Sequence, residues 1–130
     1  MHISTPHAFT ACVALLLASC VTDDHVASQR RPISPPPEVL TQAADAQFPY
    51  ISLVRSAERG DTAALLKLIQ FSTRTDAYGS IAHGVVLLEL REIYGFSVFA
   101  RIEAQATKEE QATAQRAIDA AISVLNGPKV

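Results

Sequence analysis

Residues 76–95 read Asp76-Ala77-Tyr78-Gly79-Ser80-Ile81-Ala82-His83-Gly84-Val85-Val86-Leu87-Leu88-Glu89-Leu90-Arg91-Glu92-Ile93-Tyr94-Gly95, and they decide the fold class. Asp76 stands just ahead of the helical pattern, where a carboxylate accepts the unpaired N–H groups of a first turn. Gly95 stands just past it, where a residue free to take positive φ ends a helix. Ile81, Val85 and Leu88 form one apolar row between these ends, and Leu87, Leu90 and Tyr94 form another. Only Glu89, Arg91 and Glu92 clearly claim solvent. A helix that is apolar nearly all round is surrounded by other elements, so this stretch predicts the central helix of an all-α domain. Gly79 and Gly84 each cost up to about 1 kcal/mol relative to Ala inside a helix, and we read them as points of close backbone approach.

On the amino-terminal side, Glu38 to about Gln47 predicts a first helix, with Glu38 complementing the helix dipole. Phe48-Pro49 interrupts it, because proline restricts the preceding residue away from helical geometry. A second helix follows from Tyr50 to Arg59, with Ile51, Val54 and Ala57 as its apolar row. Gly60-Asp61 is a tight corner, glycine closing one helix and the Asp61 carboxylate opening the next. That next helix, Thr62 to Phe71, places Leu65, Leu68 and Ile69 on one face, and Ser72 to Thr75 reads as a polar loop.

On the carboxyl-terminal side, Ser97 is positioned to cap a short helix reaching Ala106, with Phe99 and Ile102 inward and Phe96 as a staple. Thr107-Lys108-Glu109-Glu110 has the spacing of a capping box, in which the Thr hydroxyl and the Glu carboxylate satisfy each other's backbone N–H groups. It opens a last helix whose apolar row is Ala114, Ile118, Ala121 and Leu125, closed by Asn126-Gly127-Pro128. The sum is an all-α chain of about five to six helices, arranged as a compact bundle or a short solenoid-like stack. Gly60 and Gly95 both sit at helix corners, and the helix pairs after them recur about 35 residues apart. In this respect residues 60–106 faintly resemble helical hairpins of the HEAT type.

Ahead of the helical domain, assigned to residues 38–130, the composition changes. Residues 20–37 end in Arg30-Arg31-Pro32-Ile33-Ser34-Pro35-Pro36-Pro37, which reads as an unpacked proline-rich tether. Polyproline geometry extends about 3.1 Å per residue, giving a reach of up to roughly 50 Å. The sharper alternative is a proline-rich ligand for a partner's groove.

Upstream again, Ala8 to Ala18 carries no charge and is too short for the roughly 20 apolar residues that span a bilayer. It has the length of a signal-peptide core. The segment before it, Met1 to His7, holds no Lys or Arg, so its positive charge comes from the amino terminus, His2 and His7. Leu17-Ala18-Ser19-Cys20 closes the run and resembles the lipobox of bacterial lipoproteins. The resemblance implies cleavage between Ser19 and Cys20, removal of residues 1–19, and lipid attachment at Cys20. Two or more acyl chains, palmitate-like in length, hold a protein stably on a membrane, since each buried methylene contributes about 0.8 kcal/mol. Val21 after the cysteine, in place of Asp, implies an outer-membrane, periplasm-facing location.

Composition narrows the function classes. All 13 acidic and 11 basic residues lie beyond Cys20, so the processed chain keeps the formal charge of −2, which argues against a nucleic-acid partner. The two cysteines are Cys12, in the signal segment, and Cys20. No thiol remains for a bridge or a nucleophile, and core packing alone must hold the domain. His83 is the only histidine in the domain, since His25 lies in the tether. It could serve as a ligand or general base, but a core histidine bonded to a carbonyl is the commoner role. No second His or Cys lies three or four positions from it, so no metal site and no cofactor is expected. Glu58, Asp61, Glu109, Glu110 and Asp119 read as caps and solvated faces. The polar connection with Arg74 and the nearby Tyr78 is the candidate partner-binding surface, because Arg and Tyr are favoured interface anchors.

The functional expectation is a non-catalytic protein–protein interaction module on an envelope lipoprotein, an adapter, assembly factor or inhibitor of the immunity type. Its partners would be the membrane, through Cys20, and another envelope protein. The alternative is a small periplasmic ligand-binding domain or hydrolase centred on His83.

Overall fold

The computed structural model describes residues 30–128. Ser19, Cys20 and the rest of the lipobox lie outside them. Six α-helices and one short 3₁₀ turn make up the described chain, with no strand among the described residues. They are α1 (Pro37–Asp45), α2 (Tyr50–Glu58), α3 (Thr62–Phe71), the 3₁₀ turn Ser72–Arg74, α4 (Ala77–Tyr94), α5 (Phe96–Glu103) and α6 (Lys108–Leu125). All five other helices pack on α4, with α6 making the most extensive contact. The domain is therefore an all-α bundle about a central helix.

The corners follow local chemistry. Gly60 takes φ +97°, and the Gly60 and Asp61 N–H groups bond back to Ala57 and Ser56, closing α2. The Asp61 carboxylate then accepts from Ala63 and Ala64, opening α3. Asp76 does the same for α4 through Tyr78 and Gly79, and the Thr107–Glu110 capping box is complete. The end of α1 uses the same double bond-back with a different residue. Phe48 N–H reaches Ala43 O, Gln47 N–H reaches Ala44 O, and Gln47 adopts φ +53°. The first helix consequently stops at Asp45, short of Gln47.

Long-range packing corrects several apolar rows. On α2 the buried positions are Tyr50, Val54 and Ala57, while Ile51 is 50% exposed. Tyr50 takes the inward place because its ring joins Phe48, Phe71 and His83 in an aromatic cluster. On α4 the buried face is Gly79, Ala82, His83, Gly84, Val86, Leu87 and Leu90, and the row Ile81, Val85 and Leu88 is only half-buried. Ser97 is no cap. Gly95, at φ +83°, ends α4 and begins α5 by itself, which leaves no separate cap position. Phe96 is accordingly exposed, with the Arg91 guanidinium 5.2 Å from its ring centroid. α5 ends at Glu103, and only after a turn does Ala106 return to the core. Leu125, on the last turn of α6, is exposed, with no neighbour over it among the described residues, and the buried row is Ala114, Ala117, Ile118 and Ala121.

The tether also ends earlier than Pro37. Ile33 is buried at 3% exposure and belongs to the core, so the compact unit begins at Pro32. An isoleucine removed from water contributes about 2 kcal/mol, enough to order a segment whose prolines have little conformational freedom to lose. The alanine-rich face of α6 and Gly84 of α4 make a close helix contact: a Cβ at Gly84 would lie 2.0 Å from the Ala117 carbonyl oxygen.

Candidate functional site

Three elements carry polar side chains to one point inside the core. Tyr50 opens α2, Ser72 opens the 3₁₀ turn, and His83 lies in the second turn of α4. The Tyr50 hydroxyl is 2.7 Å from His83 Nδ1, and His83 Nε2 is 3.0 Å from Ser72 Oγ. Ser72 and His83 are wholly buried, and Tyr50 is 2% exposed. Aromatic rings wall the group, Phe71 and Tyr50 standing edge-on to the imidazole at 5.6 and 5.7 Å.

Burial fixes the protonation pattern. It pushes the Tyr50 phenol above its usual range, so the hydroxyl keeps its proton. Burial also lowers His83 to about 4, only partly opposed by the Leu68 carbonyl, so the imidazole is neutral at pH 7. A neutral imidazole carries one ring proton, so one of the two hydroxyls donates to the ring and the other accepts from it. A general base for a serine must offer the Nε2 lone pair. The grouping has the outline of a Ser-His pair with an orienting phenol, but it is sealed from solvent as a satisfied core network. No buried side-chain nitrogen or oxygen among the described residues lacks a partner.

His83 is thus a core histidine, as its commoner role implies, bonded to two hydroxyls as well as lying near a carbonyl. Ser72 was expected in a polar loop and is instead buried. Its partner lies 11 residues away, and Tyr50 lies 33 residues from His83, so no local pattern announces the set.

Arg74 and Tyr78 are both solvent-facing, Tyr78 at 79% exposure. Their backbone is firmly held. Thr73 and Thr75 hydroxyls donate to the Gln70 and Ser72 carbonyls, and Gln42 Oε1 accepts from Asp76 N–H at 3.0 Å. Arg74 lines a groove of about 380 Å³ with Lys67, Gln70, Thr73 and Glu110 over Phe48 and Phe71; Tyr78 does not line it. A second, apolar groove of about 290 Å³ between α1 and α2 shares Phe48 with the first. Among the described residues no group of three or more His, Cys, Asp or Glu gathers where a metal could be held, and no helix is long and apolar enough to cross a membrane. No protein-family model, curated protein or solved structure matches this chain.

Proposed function

We propose that this chain is a lipid-anchored envelope lipoprotein, facing the periplasm from the outer membrane, whose helical domain is a non-catalytic protein-interaction module. The anchor rests on Leu17-Ala18-Ser19-Cys20 and its flanks. The observation that carries the module is the corner after α3: an exposed tyrosine and an exposed arginine on backbone fixed by Asp76 and Gln42, while the Ser72, His83 and Tyr50 side chains are closed to solvent. A large aromatic ring held in water on a rigid support loses little entropy when a partner covers it.

The test has two parts. Mass spectrometry of the mature protein should find acylated Cys20, and a Cys20→Ser variant should leave the membrane fraction. A photo-crosslinker at Tyr78 in intact cells should capture a discrete envelope protein, and Arg74→Ala should reduce that capture. A monomeric, inert domain that crosslinks to nothing specific would refute the module.

The second reading, a hydrolase or ligand-binding domain around His83, draws on the 3.0 Å separation of Ser72 Oγ and His83 Nε2. It requires an opening that admits substrate, with the Nε2 lone pair turned to Ser72. A serine-reactive fluorophosphonate labels Ser72 under this reading and leaves it unlabelled under the first.

A further inference from the structure

Arg55 and Glu58, one turn apart on α2, form an ion pair at 2.9 Å and together hold one residue of the segment that precedes α1. The Ile33 N–H donates to the Glu58 carboxylate, and the Ile33 carbonyl accepts from the Arg55 guanidinium at 2.8 Å. The Ile33 side chain is buried in the core while its neighbours Pro32 and Ser34 are exposed. Pro32 and Pro35 have no N–H to satisfy, and Pro36 holds polyproline geometry at φ −63° and ψ 151° before α1 begins. Domains hold short extended ligands in the same way, with a pocket for one side chain, a donor and an acceptor for its backbone, and flanks already stiffened by proline. The grip is also local. Arg55 is 37% exposed, and Ile33 lies outside α1, which starts at Pro37.

We propose that the Ile33 socket and the Arg55–Glu58 pair form a peptide-docking site whose resident ligand is this chain's own segment 32–35, and that a partner's extended segment bearing a β-branched aliphatic residue between prolines displaces it. The inference rests on the reading of the domain as an interaction module and places a second recognition surface on it, apart from Arg74 and Tyr78. The resident segment defines the ligand chemistry and, while docked, keeps the site closed.

The probe is a fluorescein-labelled peptide of residues 31–36, titrated by anisotropy into the full-length chain. Ile33→Asp ejects the resident segment, because a carboxylate does not enter an apolar socket unpaired. The peptide should bind this variant at least about tenfold more tightly than it binds the unmutated chain. Arg55→Ala added to that variant, or an Ile33→Ala peptide, should lose at least about tenfold. The unmutated chain gives a second readout that does not depend on the variant folding. With isotope-labelled protein and unlabelled peptide at millimolar concentration, hydrogen exchange at the Ile33 amide should accelerate. A folded Ile33→Asp chain that binds no peptide, or an Ile33 amide whose exchange does not change, overturns the proposal and makes residues 32–35 a fixed part of the core. Because the probe is the chain's own sequence, that failure is distinct from a failure of crosslinking at Tyr78.

Discussion

Gly84 and Gly79 are both buried on α4 but meet different neighbours, α6 and α1, and Ala should have different consequences at the two positions. A Cβ at Gly84 would stand 2.0 Å from the carbonyl oxygen of Ala117 and 2.5 Å from its carbonyl carbon. Real Cβ atoms do not approach within 3.0 Å, so α6 must retreat by at least about 1 Å along the contact that dominates the bundle. Overpacking of this kind costs about 1–3 kcal/mol and sometimes more. It outweighs the gain of up to about 1 kcal/mol that Ala brings to a helix interior. Because the obstacle is backbone, no truncation at position 117 relieves it. A Cβ at Gly79 would instead meet the amide end of the Gln42 side chain at 2.1 Å, and that end can rotate away. Its cost is the exposed bond from Asp76 N–H to Gln42, about 1 kcal/mol, offset by the helix gain. Gly79→Ala should therefore unfold within about 0.5 kcal/mol of the parent, and Gly84→Ala at least about 1–2 kcal/mol below it. At roughly 4–8 °C per kcal/mol for a domain of this size, thermal denaturation followed by circular dichroism separates the two cases. A Gly84→Ala protein as stable as the parent would refute the close approach of α4 and α6.

Three further outcomes can be measured. His83 is lowered to about 4 in the folded state from an ordinary 6.5, so the unfolded chain binds the extra proton between those values. Its contribution is complete above pH 6.5 and is lost as pH falls towards 4, by up to about 3 kcal/mol. Glu89 and Glu103 are raised by burial and act in the opposite direction, so the comparison is urea denaturation of the parent against His83→Leu at pH 7 and pH 4.5. The variant should show the smaller acid loss and, at pH 7, a penalty of about 1–3 kcal/mol for leaving the Tyr50 and Ser72 hydroxyls without their ring partner. Thr107→Ala removes the hydroxyl that accepts from Glu110 N–H and should cost about 1 kcal/mol in the same assay, with an unchanged cost if Glu110 is already Ala counting against a reciprocal box. Tyr78→Ala should leave stability within about 0.5 kcal/mol, because the ring is solvent-facing, while abolishing co-purification of the partner from solubilised envelope.

Residues that act on neighbours within four positions were legible from the sequence. Asp61, Asp76 and the Thr107–Glu110 pair cap their helices as their spacing requires, and Gly60 and Gly95 take the positive φ that their corners need. Gln47 takes the same left-handed geometry with no glycine to mark it, so the sequence pattern runs two residues past the end of α1. Periodicity identifies α4 as the central helix but not that the row Ile81, Val85 and Leu88 is only half-buried, because a helix with apolar residues on every side carries no preferred direction until its neighbours are in place. Arg74 in the connection and Tyr78 beside it were legible as exposed residues; the groove beside Arg74 was not.

The sequence by itself determined the class of the fold, the places where the chain turns, and an amino-terminal segment resembling a lipoprotein signal. Those features depend on side-chain type and on bonds closed within one helical turn. Only the tertiary structure decided that Ile33 leaves the proline-rich segment for the core, that His83 is held between Tyr50 and Ser72, and that Gly84, but not Gly79, faces immovable backbone. These depend on partners 11 to 33 residues away, which meet only when hydrophobic burial brings separate helices together.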